Sequence, residues 1–145
     1  MLTLSRKCDY SLIALVHLAR SPGEVASARE IADQYEIPLP LLMNILKLLH
    51  REGVISSVRG AKGGYSLAAD PKQVSLKDVV LMVEGPVRLV KCADSRADEE
   101  RCRRTGLCPV RPSALQLHER FAEFLDGVSL ADIVEGPTPM TMPEC

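Results

Sequence analysis

A mainly α-helical chain with one small β-hairpin is the fold class this sequence predicts, and three observations predict it. The 145 residues are 46% hydrophobic, yet the aromatic residues are only three Tyr and two Phe, with no Trp. That composition favours an aliphatic core built from helices. Apolar runs with helical spacing fill most of residues 9–53, separated by turns rich in Pro, Gly and Ser. One segment alone, "VISSVRGAKGGYSLAAD" (54–70), changes to β-branched alternation around a basic, Gly-rich turn.

Each element follows in order. Residues 9–20, "DYSLIALVHLAR", are apolar almost all round, as a core helix is, and Asp9 stands where it caps or precedes the first turn. "SPGEVAS" supplies a turn. Ser27 and Glu30 then have capping-box spacing ahead of a short amphipathic helix, "AREIADQYEI". Pro40 suits the first turn of a third helix, "LPLLMNILKLLHREG", which Gly53 ends. After the hairpin, Ser75 opens "SLKDVVLMVEG", stopped by Gly85-Pro86. The stretch "PSALQLHERFAEFLDGVSL" places Ala114, Leu117, Phe121, Phe124 and Val128 on one helical face at spacings of three and four. The Pro-rich end, "GPTPMTMPEC", is expected to fray.

Three helices followed by a basic hairpin is the order of a winged helix-turn-helix. In that arrangement the second helix braces the third in the major groove, and the hairpin reaches a backbone or the minor groove beside it. Arg59 and Lys62 fall on the wing tip, beside glycines that let a backbone approach closely. On the third helix, Leu39, Pro40 and Leu41 open the segment that reads DNA. Asn44 suits an adenine edge and Lys47 a phosphate, while the two leucines suit thymine methyls if they face outward and the core if they do not. The expected division is residues 1–85 as the DNA-binding domain and 86–111 as a cysteine-containing loop. Residues 112–135 form a dimerisation helix with its C-terminal segment, and 136–145 a flexible tail.

Charge announces no partner by itself, because the net value is −1. Residues 1–90 carry 11 Lys/Arg against 9 Asp/Glu, a net +2, and residues 91–145 carry 7 against 10, a net −3. No run approaches the roughly 18 apolar residues of a membrane span, and no signal peptide is visible. A cytoplasmic protein is therefore expected, in a compartment that keeps thiols reduced.

That expectation gives weight to "KCADSRADEERCRRTGLCPV" (91–110), which gathers Cys92, Cys102 and Cys108 among charged residues rather than apolar ones. Five cysteines also leave one over in any disulfide framework. An iron–sulfur cluster, a structural zinc ion and a reactive thiol are the chemistries that three such thiols offer. No Cys–His–acid set is placed for nucleophilic catalysis, so an enzyme is not expected. An electron carrier would leave the wing and reading helix idle.

The strings "RGAKGGYSLA" and "LSRKCDYSLIALVHLA" resemble those of a bacterial family of winged-helix transcription regulators that includes IscR, NsrR and RirA. The likeness runs from residue 2 to about residue 135 through "GYSLAADPKQVSLKDVVLMVEGPV" and "LDGVSLADI", and it looks closest to the branch that regulates SUF-type cluster assembly. The resemblance implies a homodimer on double-stranded DNA with a palindromic operator, and a cluster, [4Fe-4S] or [2Fe-2S], held by Cys92, Cys102 and Cys108. The gaps between these cysteines depart from the family's shorter first gap. "CPVRPS" offers no His after the third cysteine, and the alignment implies Asp9, from the partner subunit, as the fourth ligand, with Cys8 its neighbouring competitor. The apolar start of the third helix departs from the polar residues of IscR, which implies a different operator.

Overall fold

A computed structural model describes residues 4–90, 93 and 106–136. Cys92, Cys102, Cys145 and most of the expected tail lie outside the described residues. The elements are α1 (Arg6–Arg20), α2 (Ala28–Gln34), α3 (Leu39–Arg51), β1 (Ile55–Val58), β2 (Gly64–Leu67), α4 (Leu76–Glu84), α5 (Arg111–Asp126) and α6 (Leu130–Glu135).

Local chemistry sets most of these boundaries. Ser5, in extended backbone, accepts from the Cys8 N–H through its side chain and caps α1. The helix thus begins at Arg6, and Asp9 lies within its first turn without capping it, a correction to the sequence reading. Ser27 and Glu30 form the expected capping box of α2. Pro38 precedes α3 and Pro40 stands in its first turn, where no N–H is needed. Ser75 and Asp78 box the start of α4. A short sixth helix, absent from the sequence reading, is opened by the same device, Ser129 with Asp132.

The core is aliphatic, with Leu15, Leu18, Ile31, Leu42, Ile45, Leu46, Leu49, Val79 and Leu130 fully buried. Each is worth roughly 1.5–3 kcal/mol of transfer free energy. α1 runs through the middle, against α3, α4, α6 and β2. The two strands pair antiparallel, with Ile55 opposite Leu67 and Val58 opposite Gly64. Ala26 adds a third edge to this hairpin. Its N–H donates to the Tyr65 carbonyl at 2.9 Å and its carbonyl accepts from the Tyr65 N–H at 2.8 Å. The wing is thereby fastened to the turn before α2.

The second anchor joins α4 to α5 and α6. The Leu76 N–H donates to the Val128 carbonyl at 2.8 Å, and the Leu130 N–H to the Val74 carbonyl at 2.8 Å. Lys77 pairs with Asp126 at 3.5 Å. The other end of α4 meets α1, since the Ser5 N–H donates to Glu84 Oε1 at 3.0 Å and Lys7 Nζ to the Val83 carbonyl at 3.2 Å.

Candidate nucleic-acid interface and cysteine site

α3 divides into two faces, and the division corrects part of the sequence reading. Leu42, Ile45, Leu46 and Leu49 are buried. Leu39 and Leu41 are half-buried and pack against that core, so they are not on the outward face. Pro40, Asn44 and Lys47 are exposed. Met43 and Arg51 share this exposed side, at offsets of three, four, seven and eleven from Pro40, which makes a single helical stripe. The same offsets in the sequence identify both residues once the buried set is assigned. Arg51 also pairs with Glu52 at 3.3 Å.

The wing follows α3, with β1 packed against that helix. Arg59 and Lys62 are exposed at its tip, where Gly60 has φ of 121° and its carbonyl accepts from the Gly63 N–H at 2.9 Å. Only glycine fits at position 64. A Cβ there would lie 2.3 Å from the Ala26 carbonyl oxygen, inside any real contact. That close approach lets Ala26 and Tyr65 exchange their two hydrogen bonds. Sequence, packing and wing position are linked at this one residue.

The residues expected at a metal or cluster site are placed differently from one another. Cys108 is half-buried in the turn before α5. Asp9 is exposed, and its carboxylate makes no hydrogen bond or ion pair among the described residues. Cys8, its neighbour, is fully buried in the core. Burial, with the Glu84 and Asp9 carboxylates nearby, pushes the Cys8 thiol up to about 11. A thiolate is the metal-binding form, so this environment disfavours Cys8 as a donor. Among the described residues no three His, Cys, Asp or Glu side chains converge on a metal position. The donors described, a partly accessible Cys108 thiol and an unengaged Asp9 carboxylate, are of kinds that iron and zinc both take.

His17 and His50 are engaged in the fold. His17 Nδ1 and the Tyr35 hydroxyl share a hydrogen bond of 3.1 Å, and His50 Nδ1 lies 3.1 Å from the Ile55 carbonyl. His118 is half-buried on α5.

α5 also has two faces. Leu125 is buried, and Phe121 and Leu125 line a cleft of about 410 Å³ with Leu4, Val80 and Glu84. Val110, Leu117 and Phe124 point outward, at 63%, 62% and 40% exposure. The single stripe read from the sequence is therefore split, because Phe121 turns toward α4 while Leu117 and Phe124 turn away. The outward three are spaced by seven, as at a helix–helix seam. No helix among the described residues is long and apolar enough to cross a membrane.

Comparison with known proteins follows this geometry. Residues 4–136 match the family described as Rrf2, iron-dependent transcriptional regulator. The chain is 29% identical over 142 residues to an rrf2-like HTH-type transcriptional regulator of Rhodobacter capsulatus, covering 94% of this chain and 95% of the relative. Among solved structures it is similar to CymR (YrzC), the global cysteine regulator of B. subtilis, with 25% identity and a TM-score of 0.73 over 95% of this chain and 100% of that one. It is similar also to T. potens IscR, with 25% identity and a TM-score of 0.72 over 99% of this chain and 94% of that one.

Proposed function

This chain belongs to the Rrf2 family of transcriptional regulators, and from that premise we propose that it is a homodimeric, iron–sulfur-cluster-bearing repressor of a palindromic operator. The observation that carries the cluster part is the pairing of three cysteines in a polar segment with an exposed, unengaged Asp9 beside a buried Cys8. Cys92, Cys102 and Cys108 would hold the cluster and Asp9 of the partner subunit would complete it. When bound, the cluster supplies a group that responds to redox state, nitric oxide or cluster supply. A hard carboxylate among thiolates makes one corner of such a site labile, which suits a sensor.

The DNA part rests on α3 and the wing. Asn44 and Met43 face a base edge and a thymine methyl, and Lys47 and Lys62 meet phosphates. Arg59 enters the minor groove. Two copies related by a twofold axis, joined along Val110, Leu117 and Phe124, present two such surfaces one helical turn of DNA apart. Residues 1–85 read DNA in this arrangement, residues 86–111 carry the cysteines and residues 112–135 join the subunits. Such a regulator acts in the cytoplasm.

The test is anaerobic purification with iron, sulfide and zinc analysis and absorption and Mössbauer spectra, repeated for Cys92→Ala, Cys102→Ala and Cys108→Ala. Brown protein that each substitution bleaches is the expected result. Stoichiometric zinc without iron would replace the cluster by a structural metal. Three cysteines in a polar segment also suit a second reading, a cluster-free thiol switch of the same fold. In that case neither metal is found, and operator binding responds to oxidation of the cysteines.

A further inference from the structure

Asp9 is offered from the first turn of α1, and first turns are where helices fray. A ligand on a fraying turn would have to be ordered each time the site assembles, at an entropic cost. Here the turn is tied down on both sides of Asp9's neighbours. Ser5, the cap, gives its N–H to Glu84 Oε1 at 3.0 Å. Lys7 gives its ammonium to the Val83 carbonyl at 3.2 Å, one of the last-turn carbonyls that α4 cannot satisfy within itself. Cys8, between them and Asp9, is fully buried and fixes the rotation of the turn. The result is a first turn held in place, with Asp9 on its exposed side.

Resting on the cluster reading above, we propose that Lys7 and Glu84 are positioning residues for the cluster, clamping the first turn of α1 to the last turn of α4 so that Asp9 is preorganised as a ligand. Supporting groups of this kind orient metal ligands without touching the metal. The clamp also joins the Asp9 turn to the helix that leads, past Gly85, toward the cysteines.

The experiment uses the full chain, reconstituted anaerobically, and follows cluster bleaching by an iron chelator together with the visible circular dichroism spectrum. Lys7→Met keeps the apolar stem and loses the donor; Glu84→Ala loses the acceptor. Each is expected to bleach several-fold faster than the parent with an altered dichroism spectrum, while Glu84→Gln, which can still accept from Ser5, stays close to the parent. Placed on Asp9→Ala, Lys7→Met should add nothing, because the clamp works through Asp9. Glu84→Asp keeps the charge but falls short of Ser5, and it provides the same readout if Glu84→Ala folds poorly. Unchanged bleaching in Lys7→Met and the Glu84 variants, or equal acceleration with Asp9 already removed, overturns the proposal alone. A parent protein that takes up no cluster overturns the cluster reading and this proposal with it, and that result appears before any substitution is made.

Discussion

Cys8 and Asp9 are consecutive in the chain and opposite in fate: the thiol is fully buried in the core and the carboxylate stands in solvent. Neighbouring side chains on a helix project about 100° apart, and Ser5 sets the phase by capping at the residue before Arg6. Asp9→Ala should therefore leave stability within about 0.5 kcal/mol of the parent, as surface changes usually do, while making the proposed cluster labile and changing its spectrum. Cys8→Ser, which places a hydroxyl in the apolar core, should cost about 1–3 kcal/mol. Denaturant titration beside resonance Raman spectra checks both. A cluster spectrum altered by Cys8→Ser and untouched by Asp9→Ala would move the ligand to Cys8.

The same burial gives a pH dependence with a definite sign. The Cys8 pKa is raised from 9.0 to about 11, so above pH 9 the unfolded chain loses this proton before the folded one does. Ionisation then favours the unfolded state. Stability contributed by the protonated thiol is complete below pH 9 and is lost as pH rises toward 11. Thermal melts across this window should fall for the parent and fall less steeply for Cys8→Ala. Parallel curves would mean that another group governs alkaline unfolding.

Gly64 and Arg59 separate wing architecture from wing chemistry. Gly64→Ala places a Cβ on the Ala26 carbonyl and should break the Ala26–Tyr65 pair, costing roughly 2–4 kcal/mol of stability and operator affinity together. Arg59→Ala should leave the melt unchanged and weaken specific binding by about 1–3 kcal/mol. Lys62→Ala should weaken all sequences alike and reduce the salt slope by about one. Fluorescence anisotropy at several salt concentrations, on operator and random duplexes, distinguishes these behaviours. A Gly64→Ala protein with parental stability would show that the wing does not depend on this close approach.

Most of the fold was legible because it is written in local chemistry. Ser27 with Glu30, Ser75, Pro40 and Gly85 each mark a boundary through a hydrogen bond or a forbidden one, and such signals need no tertiary knowledge. What periodicity could not decide was which side of an all-apolar segment faces in. Leu39 and Leu41 read equally as core or as DNA contact, and only the packing of α3 on α1 and α2 turned them inward. α5 posed the same difficulty, since Phe121 and Phe124 are both apolar and one turn apart but belong to different faces. α6 escaped because six residues carry too little pattern, although Ser129 and Asp132 repeat the device that opens α4. For the candidate site, the sequence supplies residue types and no convergence: Cys92 and Cys102 lie outside the described residues, and cysteine spacing alone does not say which groups meet.

The outward seam of α5 gives the prediction that bears most directly on assembly. Val110, Leu117 and Phe124 recur every seven residues on a face left open, and a helix of sixteen residues is long enough for two copies to cross there. Leu125, about a quarter-turn round the helix from them, is buried against the rest of its own chain. Substitutions on the two faces should therefore fail in different ways. Leu117→Asp puts a charge into the proposed seam, where its desolvation is uncompensated, and should give a folded monomer with lost operator affinity, since one half-site alone holds too little binding energy. Leu125→Ala should keep the dimer and cost about 2–5 kcal/mol of stability through the cavity it leaves. Sedimentation equilibrium, circular dichroism and operator titration on the same samples read all three quantities. A Leu117→Asp protein that still sediments as a dimer would place the subunit contact on another surface, and the twofold arrangement of the two wings would have to be rebuilt from there.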